Sequence, residues 1–312
     1  MNQEQSQFSY SGIIQPKGFP PLPPDWTSEM ETFRSSDGSS ELFSALHHRR
    51  DVDWKSPRAL IILHGLGEHG GRYLHFPHYL KGVVEAVSCL DHRGHGRSEG
   101  IRGHVERFDL YAEDAMLAIF RLDEFLKKRF GRSEIHLHGH SMGGLIALRS
   151  CFLNPKLPLK SVSVSSPLLG VKVEVPIVKK LAAGALSRLW GSLQMANELD
   201  ARDTSHDPEV VATYQADRLV HSKVTPRFYV SMLAAMSDTL KRDRGFEYPL
   251  QVLTPLADRI VSPEAEEKFF NALRVEDKRL KTYRDFFHEP FNEIGKEKVF
   301  EDLSTWIEAH KN

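Results

Sequence analysis

The sequence predicts an α/β fold, a mostly parallel β-sheet covered by helices on both faces, with a helical cap inserted late in the chain. Three observations carry this. Continuous apolar runs of strand length alternate with segments whose apolar residues recur at three- and four-residue spacing, as expected for strands buried on both faces and joined by crossover helices. The chain has 312 residues, enough for one large α/β unit or two domains, and can bury a core without metal or disulfide staples. Between about Leu169 and Tyr248 the alternation breaks, and helical patterns continue without an obvious buried strand. No repeat at a fixed period is visible.

Residues 1–30 are polar and rich in proline (Pro16, Pro20, Pro21, Pro23 and Pro24), which predicts an extended N-terminal arm with little chemistry of its own. From Glu31, two alternating runs flank Asp37-Gly38, the signature of an antiparallel edge hairpin. ALIILHG (59–65) reads as a fully buried strand, followed by a helix near Tyr73 to Lys81 and a strand at 84–91. A long helix starts at about Phe108, its apolar face carrying Tyr111, Ala115, Ala118, Ile119, Leu122, Phe125 and Leu126. Strand 134–140, helix 142–153 and strand 159–166 complete the first core segment, 31–168. The cap is expected over 169–248, its clearest stripe being Val178, Leu181, Ala182, Leu186, Leu189 and Trp190. The core resumes over 249–312 with strand 250–257, helix 262–273, strand 279–286 and helix 297–310. Ser262 as N-cap, Pro263 and acidic Glu264 announce the first of these helices.

Charge is nearly balanced, 41 Lys+Arg against 42 Asp+Glu, which argues against a nucleic-acid binder with a clustered basic excess. Cys89 and Cys151 read as two buried thiols in a reducing compartment. The first residues lack the basic and apolar regions of a signal peptide, and no apolar run reaches the ~20 residues of a membrane span. The expectation is a cytoplasmic protein.

Gly139-His140-Ser141-Met142-Gly143 matches G-x-S-x-G between a predicted strand and a predicted helix. That context presents a serine at a sharp turn, above the sheet and at a helix N-terminus. Serine is a weak nucleophile at neutral pH and requires a base oriented by a carboxylate. Asp258 at the exit of strand 250–257 and His288 after the last strand follow Ser141 in the order Ser, Asp, His. Asp258 also reads as a capping or salt-bridged carboxylate beside Arg259. Rival carboxylates are Asp285, Asp200, Asp203 and Asp217, which look like solvated charges, and rival histidines are His92, His95 and His221. Acyl transfer further needs oxyanion donors. The N-H of Met142 offers one, and Leu66, after His64-Gly65 in a glycine-rich loop, offers the second.

Taken with His64-Gly65-Leu66-Gly67-Glu68-His69, Asp91-His92-Arg93-Gly94-His95-Gly96-Arg97-Ser98 and Ala257-Asp258-Arg259, these residues resemble the monoglyceride lipase and lysophospholipase branch of the α/β-hydrolases, which is serine aminopeptidase-like. The resemblance spans about residues 31–312. It implies a triad of Ser141, Asp258 and His288, oxyanion amides at Leu66 and Met142, a cap formed by the insertion and no cofactor. It also implies an ester substrate with one long acyl chain, a monoacylglycerol or lysophospholipid. The N-terminal arm lies outside the family pattern, and the cap sequence offers no clear match.

Other signals are set aside. His136, His138 and His140 alternate as zinc ligands can, but on a strand buried on both faces with no carboxylate or cysteine partner. The glycines of 64–72 and 91–100 fit neither G-x-G-x-x-G nor the P-loop; Asp91 and Arg93 are read as structural. The stripe from Val178 to Trp190, flanked by Lys172, Lys179, Lys180 and Arg188, reads as cap-to-core packing, as the wall of an acyl-chain tunnel or as a face resting peripherally on lipid. The same triad also serves thioesterases, acyltransferases and small-amide peptidases, and a non-catalytic lipid binder is the reading from another class.

Overall fold

Alternate residues of strand β3 (Arg58–Leu63) go to opposite sides of the sheet: Ala59, Ile61 and Leu63 join one apolar cluster, Leu60 and Ile62 the other. Burial on both faces is what its unbroken apolar run requires. The computed structural model describes residues 13–50, 57–172, 184, 186–197 and 199–311. Its eight-stranded sheet runs β1 (Trp26–Arg34), β2 (Glu41–Arg49), β4 (Ala86–Leu90), β3, β5 (Glu134–His140), β6 (Ser161–Ser165), β9 (Leu250–Pro255) and β10 (Lys278–Tyr283). β1 and β2 pair antiparallel, as do β2 and β4, and every later pairing in the sheet is parallel.

Helices α1 (Phe76–Leu80), α2 (Asp109–Phe130) and α3 (Met142–Leu153) connect the strands in turn. α2 and α3 pack on the face holding Tyr111, Ile119, Leu145 and Leu148, and the opposite face gathers Phe76, Leu80, Phe300 and Leu303. α2 stops at Gly131, whose φ of 75° is the left-handed cap conformation.

Within 169–248 lie a small antiparallel pair, β7 (Met195–Ala196) and β8 (Lys223–Val224), and helices α4 (Pro208–Ala216) and α5 (Pro226–Leu240). α6 (Pro263–Ala272) follows β9, with Ser262 accepting the Ala265 N–H as the expected N-cap, and α7 (Glu297–Ala309) closes the fold. Cys89 and Cys151 are free and buried. Among the described residues no helix is long and apolar enough to cross a membrane.

Several expectations shift. β1 begins at Trp26, inside the stretch read as arm, and that indole is buried (3% exposed) in the apolar cluster that also holds Leu60 and Ile62. β2 does not alternate as predicted; it is paired on both edges and is buried along most of its length. The helix expected near Tyr73 to Lys81 divides into a 3₁₀ turn (Gly70–Tyr73) and α1, with Pro77 at the helix start. Of the cap stripe, Val178, Leu181 and Ala182 lie outside the described residues, as do Lys179 and Lys180. Leu186 is half-buried, whereas Leu189 and Trp190 are 72% and 65% exposed.

Candidate active site

Ser141 stands between the end of β5 and the start of α3 with φ 54° and ψ −116°, backbone angles costly for a residue with a side chain. The glycines around it make that turn possible. A methyl group on Gly143 would run into the carbonyls of Leu63 and His64, and one on Gly139 into the carbonyl of Gly143. Behind the serine, the N–H groups of Gly144 and Leu145 turn back to its carbonyl at 2.9 and 3.1 Å. Met142 opens α3, so its N–H belongs to the helix's first turn, where backbone donors have no intrahelical partner.

The loops after β9 and β10 bring the other two predicted residues to the serine. His288 Nε2 lies 2.9 Å from Ser141 Oγ, and its Nδ1 lies 2.7 Å from Asp258 Oδ2. Asp258 is fully buried; its Oδ1 accepts the N–H groups of Ile260 and Val261 at 2.7 and 3.0 Å. Every oxygen of this carboxylate therefore has a donor, which fixes how it faces the imidazole. Burial would raise the Asp258 pKa, but the charge and hydrogen bond of His288 and the two backbone donors hold it below the usual carboxylate range. Burial would likewise push His288 down; the Asp258 charge and hydrogen bond, with Glu289 and Glu68 beyond, reverse this and raise its pKa above the ordinary imidazole value.

The rivals have other occupations. Asp285 is exposed, Asp200 caps the 3₁₀ turn at Ala201, and Asp203 pairs with Arg259 at 3.2 Å. Asp217, expected as a solvated charge, is instead buried against His69, with Oδ2 2.9 Å from Nε2. Burying that carboxylate is tolerable because the imidazole N–H reaches it across the fold. His92 and His95 are buried among His64 and Tyr111, and His221 binds the Gly94 carbonyl at 3.1 Å. His136 and His140 bond Ser161 and Ser165, and His138 packs on Phe291. Asp91 accepts the N–H groups of Gly70 and Arg97, while Arg93 joins Asp114 to Asp37.

Ser141 and His288 open into a cavity of about 390 Å³, within the range of small-molecule sites. Leu66, Leu168, Leu186, Met195, Phe228 and Met232 give it apolar walls. Glu68, Glu289 and Tyr214 also line it, and all three converge on Arg72. Arg72 Nη1 lies 2.5 Å from Glu68 Oε2, the guanidinium grips Glu289 with two bonds of 2.8 Å, and it sits 4.8 Å over the Tyr214 ring. Glu68 Oε1 in turn takes the N–H of Gly65 at 2.5 Å, beside Leu66. This cluster is all but invisible in the sequence. Its one local signal is the Glu68/Arg72 pair at i,i+4; Glu289 and Tyr214 come from distant segments.

Compared with known proteins, the chain matches over residues 55–295 a family model described as Hydrolase_4, serine aminopeptidase, S33. It is 32% identical over 258 residues to a protein named monoacylglycerol lipase from Mycolicibacterium smegmatis, covering 81% of this chain and 89% of that one. An uncharacterized abhydrolase domain-containing protein of Dictyostelium discoideum is 30% identical over 248 residues, but the chain spans 26% of that longer protein. Among solved structures, the monoacylglycerol lipase of Paleococcus ferrophilus superposes with a TM-score of 0.73 at 28% identity, over 91% of this chain and 100% of that one.

Proposed function

As a member of the Hydrolase_4 family the chain is an α/β-hydrolase and a carboxylic ester hydrolase, and we propose that Ser141, His288 and Asp258 carry its chemistry on esters bearing one long acyl chain. The observation that carries this reading is the continuous hydrogen-bonded line from Asp258 through His288 to Ser141 at the floor of an apolar cavity.

Ser141 Oγ attacks the ester carbonyl while His288 Nε2 accepts its proton, and the imidazolium is stabilised by Asp258. The carbonyl oxygen becomes an oxyanion held by the N–H groups of Leu66 and Met142. Collapse of that intermediate breaks the bond to the alcohol, which leaves with the proton from His288. A water then gives its proton to His288 and attacks the acyl-serine; as the fatty acid leaves, His288 passes that proton to Ser141 Oγ and the hydroxyl is restored.

A monoacylglycerol suits the cavity because the aliphatic wall takes the chain, while Glu68, Glu289 and Tyr214 offer partners to a hydroxylated head group. The name of the Mycolicibacterium relative points the same way. Over a series of monoacylglycerols from C2 to C16, kcat/KM is expected to rise by at least tenfold into the C8–C16 range, since each buried methylene contributes about 0.8 kcal/mol. A preference for acetyl over all longer chains would sink the substrate assignment. Lysophospholipids of matched chain length in the same assay distinguish the head groups.

The cap segment supports reversible contact with membranes. Leu189, Trp190, Leu193 and Met195 are 72%, 65%, 50% and 47% exposed within one short stretch, beside the cationic Arg188. Trp190→Ala is expected to reduce cosedimentation with phosphatidylglycerol-containing vesicles several-fold while leaving hydrolysis of a water-soluble butyrate ester unchanged. Equal cosedimentation of the two proteins would count against this contact.

A further inference from the structure

We propose that the turn Ser165 to Leu168, at the end of β6, is a bracket that sets nucleophile and base relative to each other, and that Ser166 is a positioning residue for the reaction. The inference rests on the reading of Ser141 and His288 given above. Ser166 and Ser141 are the two non-glycine residues among those described with positive φ, 45° and 54°. Glycine is the residue that such a backbone tolerates without strain, so a serine there asks for a reason in its side chain. Its hydroxyl supplies one: Ser166 Oγ is fully buried and donates to the carbonyl oxygen of His288 at 2.7 Å.

The same turn holds the nucleophile from both sides. The Ser165 carbonyl accepts the N–H of Ser141 at 2.9 Å, and the Leu168 N–H donates to the carbonyl of Ser141 at 3.0 Å. Pro167 presses on Gly144, where an added methyl would stand 2.9 Å from its Cα, and the Ser166 N–H is tied to Leu253 in β9, the strand that leads to Asp258. Four residues thus touch the backbone of the nucleophile, the backbone of the base and the strand carrying the acid. None of these contacts reaches the cavity's reacting atoms, so the turn acts through Ser141 and His288. Its effect on the rate comes from the geometry it imposes, since a misplacement of about 1 Å can cost ~10²-fold.

Ser166→Ala removes the hydroxyl and keeps the strained backbone, whereas Ser166→Gly removes both. Both variants are expected to lose kcat ten- to hundredfold with KM within twofold of wild type, and to react with a fluorophosphonate correspondingly slowly. Because a displaced His288 is held less well by Asp258 in a buried site, the acid limb of kcat/KM should also move to lower pH. Melting by circular dichroism establishes that each variant is folded at the assay temperature. If Ser166 serves the fold alone, Ser166→Gly and Ser166→Ala change Tm but keep kcat within twofold and an unmoved acid limb, and the inference is overturned. Wild-type protein that labels no faster than Ser141→Ala would instead overturn the reading of the site itself.

Discussion

Asp258→Asn is expected to lower kcat by about 10⁴-fold, and Ser141→Ala by about 10⁶-fold. The asparagine effect follows from which atoms are already committed. Oδ1 of Asp258 accepts two backbone N–H groups, so an amide at this position keeps its oxygen there and turns its NH₂ toward His288 Nδ1. An imidazole that accepts at Nδ1 carries its proton on Nε2, the nitrogen that faces Ser141 Oγ, and cannot take the serine proton. Charge matters as well. In wild type the pKa of His288 is raised, so kcat/KM should fall on the acid side with a midpoint above the ordinary ~6.5. Without the carboxylate, burial is opposed much less, and the acid limb of the residual activity should move below that of wild type. Steady-state rates from pH 5 to 9 for wild type and both variants read this directly. An asparagine variant retaining activity within tenfold of wild type would mean that Asp258 is not the orienting acid.

How much of this was legible in the sequence depended on the distance over which each signal acts. Ser141 was visible because the elbow is built from neighbours: the glycines at 139 and 143 are there to avoid carbonyls of β3 and α3, and a strand and a helix flank them. Asp258 and His288 were legible from chain order and from strand exits, which the alternating pattern locates. Pairings that depend on which loops meet were not legible. Asp217 looked like a surface charge because its partner, His69, is 148 residues away. The bidentate grip of Arg72 on Glu289 crosses 217 residues, and nothing local to either announces it. The hydroxyl of Ser166 is likewise ordinary in sequence and meaningful only beneath His288. The cap stripe is legible as apolar, but periodicity cannot tell a face packed on a core from one left exposed, and Leu189 and Trp190 are exposed.

The largest effect on stability is expected at Arg72. Its guanidinium is nearly buried (9% exposed) between two carboxylates that are buried as deeply, Glu68 at 4% and Glu289 at 6%. Arg72→Met keeps much of the aliphatic length and leaves both acids without their cation, a change that typically costs about 3–5 kcal/mol. For a chain of this size that corresponds to a fall in Tm of about 5–8 °C at pH 7. The pH dependence separates this electrostatic cause from lost packing on Tyr214. In wild type, burial would raise the pKa of Glu289, but the Arg72 charge and hydrogen bonds bring it down to about 2. That interaction stabilises the fold above the ordinary carboxylate range and is lost as pH falls toward about 2. In the variant the sign reverses: an unpaired buried carboxylate prefers its proton, so the penalty is fully present at neutral pH and shrinks as acid supplies that proton. The difference in Tm between wild type and Arg72→Met should therefore narrow between pH 7 and pH 4, while Arg72→Lys, which restores one cation without the paired grip, should lie between them. A difference in Tm that stays constant across that range would assign the loss to packing and remove the charge cluster from the account of how this site is held.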